Sequence, residues 1–320
     1  MRIAHIPSDH PFVRAIDPDP VVVGDPWSVA ALIEASVHVC HVHFGFEHLS
    51  PIELERWCTG IRSAGIALVH TVHDVDNPHL VDQRDHHART SVLVRHADAL
   101  ITLTGIAAET IDERYGTHPV VIPHPPIVDR PRTIDPGRAH APGDGALVWL
   151  GTCRPNLDVA AVTGFVLDAE VAVRVVARTT GWEACGPRLR SVLGAAHDSG
   201  RLELTVVERP DDAQLESMIA SAGVLVLPYA WGTHSGLVEL ATDLGVPVVT
   251  TDVGAHADQG AITAPPSSLA ATAAEVLARR PRVTRPEASL RGVVRARHLE
   301  VCARFAGRGP RAAIRSTDVA

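Results

Sequence analysis

The segments PYAWGTHSG (residues 228–236) and GVPVV (residues 245–249) lie on either side of a predicted helix from Leu237 to Leu244. An apolar run, VLVL at residues 224–227, precedes them. The order is therefore strand, small-residue loop, helix, glycine turn and second buried strand, which is typical of a βαβ unit. Backbone N–H groups at the start of such a helix, with the hydroxyls of Thr233 and Ser235, suit a bound diphosphate. The alternative is that Ser235 only caps the helix.

Strands and helices alternate over the whole chain, in two halves. In the first half, β-branched runs predict strands at residues 2–6, 37–44, 66–73, 99–104 and 119–123. In the second half, they predict strands at residues 146–151, 171–176, 202–207, 224–227 and 246–250. The clearest helix begins at Ser50-Pro51, because serine caps a helix and proline suits its first turn. The pattern predicts an α/β fold with two parallel sheets.

The domain boundaries follow from composition. Residues 125–145 are rich in proline, arginine, aspartate and glycine, as in a linker. We expect an N-terminal domain at residues 1–127, a linker at residues 128–145 and a C-terminal domain at residues 146–285. We also expect a helix at residues 286–306 that returns to the first domain, followed by a flexible basic tail at residues 307–320. The arginines near the end of the chain could contact anionic lipid. The simpler interpretation is that the helix at residues 286–306 packs on the first domain.

The composition excludes several classes of protein. All 29 basic residues among the 320 are arginine, which excludes lysine Schiff bases, pyridoxal phosphate attachment and the P-loop lysine. No stretch approaches the ~20 apolar residues of a membrane helix, and the N-terminus lacks a signal-peptide apolar region. The five cysteines are scattered without a C-x-x-C pair, so we expect reduced thiols and a cytoplasmic protein. No nucleic-acid-binding motif is present.

Candidate ligand-binding residues lie just after the predicted strands, because ligands of doubly wound sheets lie outside the strands' carboxyl ends. In the first half, one strand leads to His41, His43 and Gly45, and the next leads to His73 and Asp74. Strand alternation puts His41 and His43 on the same face. In the second half, the corresponding first turn is GTCRPN at residues 151–156.

Several segments, in this order along the chain, resemble the GT-B glycosyltransferases, particularly their large retaining family-4 type. The segments are VCHVHF (39–44), TVHD (71–74), ADAL (97–100), VIPH (121–124), VWLG (148–151), LPY (227–229) with SG (235–236), and GVPVV (245–249). The resemblance implies a GT-B architecture, in which two Rossmann-like domains face each other across a cleft and a C-terminal helix crosses back to the first. It also implies an enzyme that transfers a sugar, with retention and without a metal, from a nucleotide sugar to a glycan, lipid or secondary-metabolite acceptor.

The resemblance also assigns roles to residues. The residues that it places at the donor nucleotide and diphosphate are Gly151, Arg154, Tyr229, Thr233, His234, Ser235, Gly236 and Glu239. On the acceptor side it places His43, Gly45, His73 and Asp74. Catalytic roles fall to His73 and Arg154, since the diphosphate leaves with negative charge that a cation and N–H donors stabilise. No cofactor is expected besides the donor, which is a co-substrate.

The sequence departs from the family at three places. The positions of the usual glutamate pair hold Gly232 and Leu240, and the position of the phosphate-binding lysine falls near Leu157. Glu239, next to Leu240, lies about 100° around the helix from it. Arg154 is then the nearby cation. Two alternatives stay open: another nucleotide-sugar enzyme of this fold, such as an epimerase or hydrolase, and a catalytically silent nucleotide- or sugar-binding scaffold.

Most of the 19 histidines precede Pro125, which raises a metal-site hypothesis. His41, His43, His73 and Asp74 are ligand types that would suit zinc with one open position. No H-E-x-x-H pattern accompanies them, so we expect no metal site. The segment Asp85-His86-His87 is interpreted as a solvated helix face. The sequence does not indicate the oligomeric state.

Overall fold

The computed structural model describes residues 1–128, 145–287, 289–305 and 307. The predicted linker, residues 128–145, and the predicted tail, residues 307–320, therefore lie almost wholly outside the described residues. The chain divides into two compact units. Among the described residues, unit 1 contains 1–75, 82–125, 289–305 and 307, and unit 2 contains 76–81, 126–128 and 145–287.

Unit 1 is built on a five-stranded parallel sheet with the order β1-β2-β3-β4-β5. The strands are β1 (Ile3–Ile6), β2 (Val39–Val42), β3 (Ala67–Thr71), β4 (Ala99–Thr102) and β5 (Val120–Val121). The helices are α1 (Pro11–Ile16), α2 (Val29–Glu34), α3 (Pro51–Ser63), α4 (Arg84–His96) and α5 (Gly105–Tyr115). All five predicted strands are confirmed, each shorter than its apolar run. Helices α1 and α2 were not predicted, because six residues each are too few to show a helical period.

Helix α3 shows how local sequence sets an element. Ser50 caps it in a capping box with Glu53, and Pro51 occupies its first turn. A cap of this kind contributes about 1 kcal/mol. The helix buries Leu54, Trp57 and the rest of its apolar side against the sheet. The predicted start at Ser50-Pro51 is confirmed.

The last helix, α12 (Leu290–Ala303), belongs to unit 1. Its buried Val294 and Val301 lie in one core cluster with Phe12 and Ile16 of α1. Both faces of the sheet are therefore covered, as a parallel sheet requires.

Unit 2 is built on a six-stranded parallel sheet with the order β11-β10-β9-β6-β7-β8. The strands are β6 (Gly145–Gly151), β7 (Ala172–Arg178), β8 (Leu202–Val207), β9 (Val224–Leu227), β10 (Val248–Thr251) and β11 (Ile262–Ala264). The helices are α6 (Val159–Asp168), α7 (Thr179–Trp182), α8 (Gly186–Asp198), α9 (Asp212–Ala220), α10 (Gly236–Leu244) and α11 (Leu269–Arg279). The five predicted strands are confirmed. Strand β11 was missed because it has three residues and its Ile262 is exposed.

The expectation of five reduced cysteines is wrong for two of them. Cys153 and Cys185 form a disulfide with a Cα–Cα distance of 5.1 Å. Cys153 follows β6 and Cys185 lies shortly after β7, and the ends of these neighbouring strands bring together residues that are 32 positions apart. Cys40, Cys58 and Cys302 are free and buried. Within the described residues, no helix has the length and apolar character needed to cross a bilayer.

Candidate functional site

Two loops at the carboxyl ends of the central strands of unit 2 are joined by hydrogen bonds. One follows β6 and the other follows β9. Asp158 N donates to Pro228 O at 2.9 Å, and Ala230 N donates to Asn156 O at 2.7 Å. The side-chain amide of Asn156 also donates to Trp231 O at 3.0 Å. Because β6 and β9 are neighbours in the sheet, the two loops form one continuous rim at its edge.

The loop after β6 begins with two residues in the left-handed region of backbone conformation. Gly151 has φ of +55°, and a Cβ atom there would lie 2.9 Å from Trp149 Nε1. Cys153 has φ of +47° and is tied down by its disulfide. Arg154 follows and is exposed. Burial raises the pKa of Tyr229, whereas the positive charge of Arg154 acts to lower it.

The start of α10 is held by residues from outside the helix. Ser235 occupies the N-cap position, but its side chain makes no capping hydrogen bond. Its Oγ lies 3.2 Å from Tyr229 Oη. The backbone of Ser235 is bound on both sides by Gln259, which accepts from its N–H at 3.0 Å and donates to its carbonyl at 3.1 Å. The capping alternative for the Ser235 hydroxyl is therefore wrong, and Gln259 instead fixes the backbone of Ser235.

Glu239 is engaged by neighbouring side chains. Its Oε1 accepts from Gln259 Nε2 at 2.8 Å and lies 2.9 Å from His234 Nε2. Glu239 therefore positions His234 and Gln259 at the start of α10. Thr233 lies in the same loop, and its Oγ1 accepts from the backbone N–H of Asp76 at 3.4 Å.

The two positions that correspond to the missing glutamates have different surroundings. A Cβ atom on Gly232 would lie 3.5 Å from the ring of His256 and 3.8 Å from the amide of Asn156. Burial lowers the pKa of His256 to about 4, with the nearby His234 contributing, so this imidazole is neutral at physiological pH. Leu240 is 5% exposed and lies in the core of unit 2. A glutamate at position 240 would therefore replace a core residue.

The predicted acceptor-side histidines lie in unit 1, in a cluster with other imidazoles. His43 Nδ1 lies 3.2 Å from His73 Nε2, and His43 Nε2 lies 3.0 Å from His5 Nδ1. His41 Nε2 lies 2.8 Å from Thr71 Oγ1. The predicted pairing of His41 and His43 on one face is confirmed, since their ring centroids are 4.1 Å apart. His43 is only 2% exposed, so it supports His73 and does not line a surface.

Aromatic rings and backbone contacts surround the half-buried His73. Phe12 meets it edge-on with ring centroids 4.7 Å apart, and Phe44 lies at 5.4 Å. The carbonyl of Asp74 lies 3.0 Å from His86 Nε2. His86 is buried, so the prediction of a solvated face at this residue is wrong. Gly45 has φ of +87°, which explains a glycine at this turn.

Four residues of the histidine cluster and of the region at the start of α10 were not predicted from the sequence. They are His5 and His298 in unit 1 and His256 and Gln259 in unit 2. His5 is the last residue but one of β1, opposite His41 in the parallel ladder, so its position near a strand end was the available signal. His256 and Gln259 lie on a loop, where no periodicity marks them, whereas His298 lies on the buried face of α12, four residues after Val294 and three before Val301.

The chain matches no protein-family model and no curated protein at significant similarity. Solved structures resemble it throughout. Sucrose-phosphate synthase from Thermosynechococcus elongatus matches with a TM-score of 0.58 and 16% identity, over 87% of this chain and 74% of that one. Anabaena HepE in complex with UDP and glucose matches with a TM-score of 0.56 and 13% identity, over 87% and 76%. A glycosyltransferase from Rickettsia africae matches with a TM-score of 0.59 and 11% identity, over 93% and 83%.

These similarities establish the fold. With its two parallel-sheet α/β units, the chain has the GT-B fold, as the sequence resemblance implied.

Proposed function

We propose that the protein is a glycosyltransferase that moves a sugar from a nucleotide-sugar donor to an acceptor, with the donor bound by unit 2. The observation that carries this proposal is the start of α10. There Gln259 holds the Ser235 backbone, and the Ser235 hydroxyl pairs with Tyr229 and not with the helix. A donor diphosphate would accept from the first N–H groups of α10 and from this hydroxyl.

Arg154 supplies the cation. It is exposed on the loop that hydrogen bonds to the Tyr229 loop, so its guanidinium can reach a diphosphate at α10. A guanidinium and a helix N-terminus together stabilise the charge of a leaving diphosphate. We therefore propose that the diphosphate needs no divalent metal.

We propose the following reaction. The acceptor oxygen forms a bond to the anomeric carbon, while the bond from that carbon to the diphosphate oxygen breaks. The acceptor proton passes to the released diphosphate. Retention of the anomeric configuration is part of the proposal and rests on the family resemblance, as does the assignment of His73 and Asp74 to the acceptor side. HepE was solved with UDP and glucose, which makes UDP-glucose the first donor to test.

The test is a thermal-shift screen of the full chain with UDP, GDP, ADP, dTDP and their common sugar conjugates. A ligand that binds only the folded protein stabilises it by about 2.7 kcal/mol at 100 times its Kd. We expect one base to be selected. We expect Arg154→Ala to weaken binding by about 10-fold or more, since a hydrogen bond to a charged group contributes about 1.5–3 kcal/mol.

Arg279→Ala is the matched control. Arg279 is an exposed arginine of unit 2 at the carboxyl end of α11, where it pairs only with Glu275 on its own helix among the described residues. Equal losses in the two variants would contradict the donor site.

Product analysis without an acceptor separates the alternatives. A changed or hydrolysed sugar nucleotide would indicate an epimerase or hydrolase. The silent scaffold is favoured by one observation, the occupation of the glutamate positions by Gly232 and the buried Leu240. Nucleotide binding without turnover of any donor would support it.

A further inference from the structure

We propose that unit 1 binds a transition-metal ion, with Zn²⁺ as the best fit, between His5, His41 and His43. The site is distinct from the residues that we place at the donor, and it does not depend on the proposed function. It also differs from the set of His41, His43, His73 and Asp74 that the sequence suggested.

The geometry of three imidazoles carries the proposal. One ligand nitrogen from each of His5, His41 and His43 lies within 4.8 Å of the other two. His5 Nδ1 and His43 Nε2 lie 3.0 Å apart. Two nitrogens bound to one tetrahedral zinc at 2.0–2.1 Å are about 3.3 Å apart, so this pair needs almost no movement. The third nitrogen needs a shift of at most about 1.5 Å.

The outward nitrogens of His41 and His43 already have partners, and that of His5 faces a carboxylate. His41 Nε2 lies 2.8 Å from Thr71 Oγ1, and His43 Nδ1 lies 3.2 Å from His73 Nε2. His5 Nε2 lies 3.3 Å from a carboxylate oxygen of Asp17. A metal-bound histidine usually has its other ring nitrogen oriented by such an outer partner. The inward nitrogens are then His5 Nδ1, His41 Nδ1 and His43 Nε2.

Several buried nitrogens in this cluster have no hydrogen-bond partner among the described residues. These are Nε2 of His5, Nδ1 of His41 and both ring nitrogens of His298. His298 is 2% exposed, and its ring centroid lies 5.7 Å from that of His41. Each buried polar atom left unpaired costs about 1–3 kcal/mol, so a purely hydrogen-bonded cluster leaves a large cost unexplained. A cation bound between His5, His41 and His43 would supply the missing partner of His41 Nδ1.

The experiment measures metal content in the full chain, purified without a histidine tag. The protein is treated with a chelator, incubated with Zn²⁺ and separated from free metal, and its zinc is measured by mass spectrometry. Binding of Co²⁺ in place of zinc is followed by the absorption bands of the tetrahedral ion. We expect one tightly bound ion per chain and a rise in Tm on adding Zn²⁺.

Two variants and one control assign the site. His41→Gln removes a ligand. Thr71→Val keeps the ligands and the side-chain shape but removes the outer partner of His41, which should weaken binding about 10- to 100-fold. His70→Gln is the control, since His70 is equally buried on β3 but is bonded to Val42 O, outside the cluster. Circular dichroism checks that each variant is folded.

Stoichiometric zinc in the wild-type protein and in His70→Gln, with weakened binding in folded Thr71→Val, would support the site. The proposal is overturned if the folded wild-type chain binds no stoichiometric metal, or if His41→Gln and Thr71→Val bind it as tightly as the control.

Discussion

Asp243 offers a quantitative test of how α10 is anchored. Its Oδ2 accepts from the backbone N–H groups of Ile127 at 2.6 Å and Val128 at 3.0 Å. Burial raises the pKa of this carboxyl from 3.8 to about 6, although both hydrogen bonds oppose the rise. Asparagine keeps the shape and an acceptor oxygen but carries no charge. We therefore expect Asp243→Asn to change stability in a pH-dependent way.

The sign follows from proton linkage. Between pH 4 and 6 the folded protein binds more protons at Asp243 than the unfolded chain, so this group destabilises the fold as the pH rises. A difference from 3.8 to about 6 corresponds to at most about 3 kcal/mol. Because the side chain is 9% exposed and keeps some contact with water, we expect about 1–2 kcal/mol.

The assay is urea unfolding of both proteins at pH 4 and pH 8. The free energy of unfolding of Asp243→Asn relative to wild type should be higher at pH 8 than at pH 4 by about 1–2 kcal/mol. Asp243→Ala, which leaves both N–H groups unpaired, should be destabilised at both pH values by about 2–4 kcal/mol. An identical difference between Asp243→Asn and wild type at the two pH values would refute the reasoning.

Three further predictions concern unit 2. Because Ser235 makes no capping bond, Ser235→Ala should lower the free energy of unfolding by less than the ~1 kcal/mol of an ordinary cap, while weakening nucleotide binding. Equal losses in the free energy of unfolding and in the free energy of nucleotide binding, both measured by calorimetry, would contradict this. The lowered pKa of His256 means that stability is lost as the pH falls from 6.5 towards 4, by up to about 3 kcal/mol, and folded His256→Gln should lose less in the same titration. A disulfide that closes a loop between residues 32 apart contributes about 3–4 kcal/mol to stability, so Cys185→Ser should lower the denaturant midpoint of unit 2. Adding reductant should then lower the midpoint of the variant far less than that of the wild type.

The sequence predicted the elements whose signals are local. Both sheets were found because their strands are continuous β-branched runs, and α3 was found because Ser50 and Pro51 mark its start. Strand β11 and helices α1 and α2 were missed because they are too short to show a period. The disulfide was missed because neighbouring strand ends, and not sequence spacing, bring Cys153 to Cys185.

In the candidate sites, too, only the residues with a local sequence signal were predicted. Residues next to strand ends, such as His73 and Arg154, could be named from the sequence because the carboxyl edge of a parallel sheet is where ligands bind. Their supporting residues could not. Gln259 reaches Ser235 from a loop 24 positions later, and His298 comes to the histidine cluster from the far end of the chain. Such contacts depend on tertiary packing that one sequence does not reveal.

The position of α12 also bears on how the chain is made. Phe12, Val13 and Ile16 near the start of the chain share a core cluster with Val294 and Val301. On the ribosome, which extends the chain from its N-terminus, these residues wait until unit 2 has been synthesised before their partners in α12 emerge. Most of unit 2, in contrast, is one continuous segment that is complete before α12 emerges. Unit 2 can therefore complete its fold first, and the apolar side of α1 is the surface that a nascent chain must keep from aggregating.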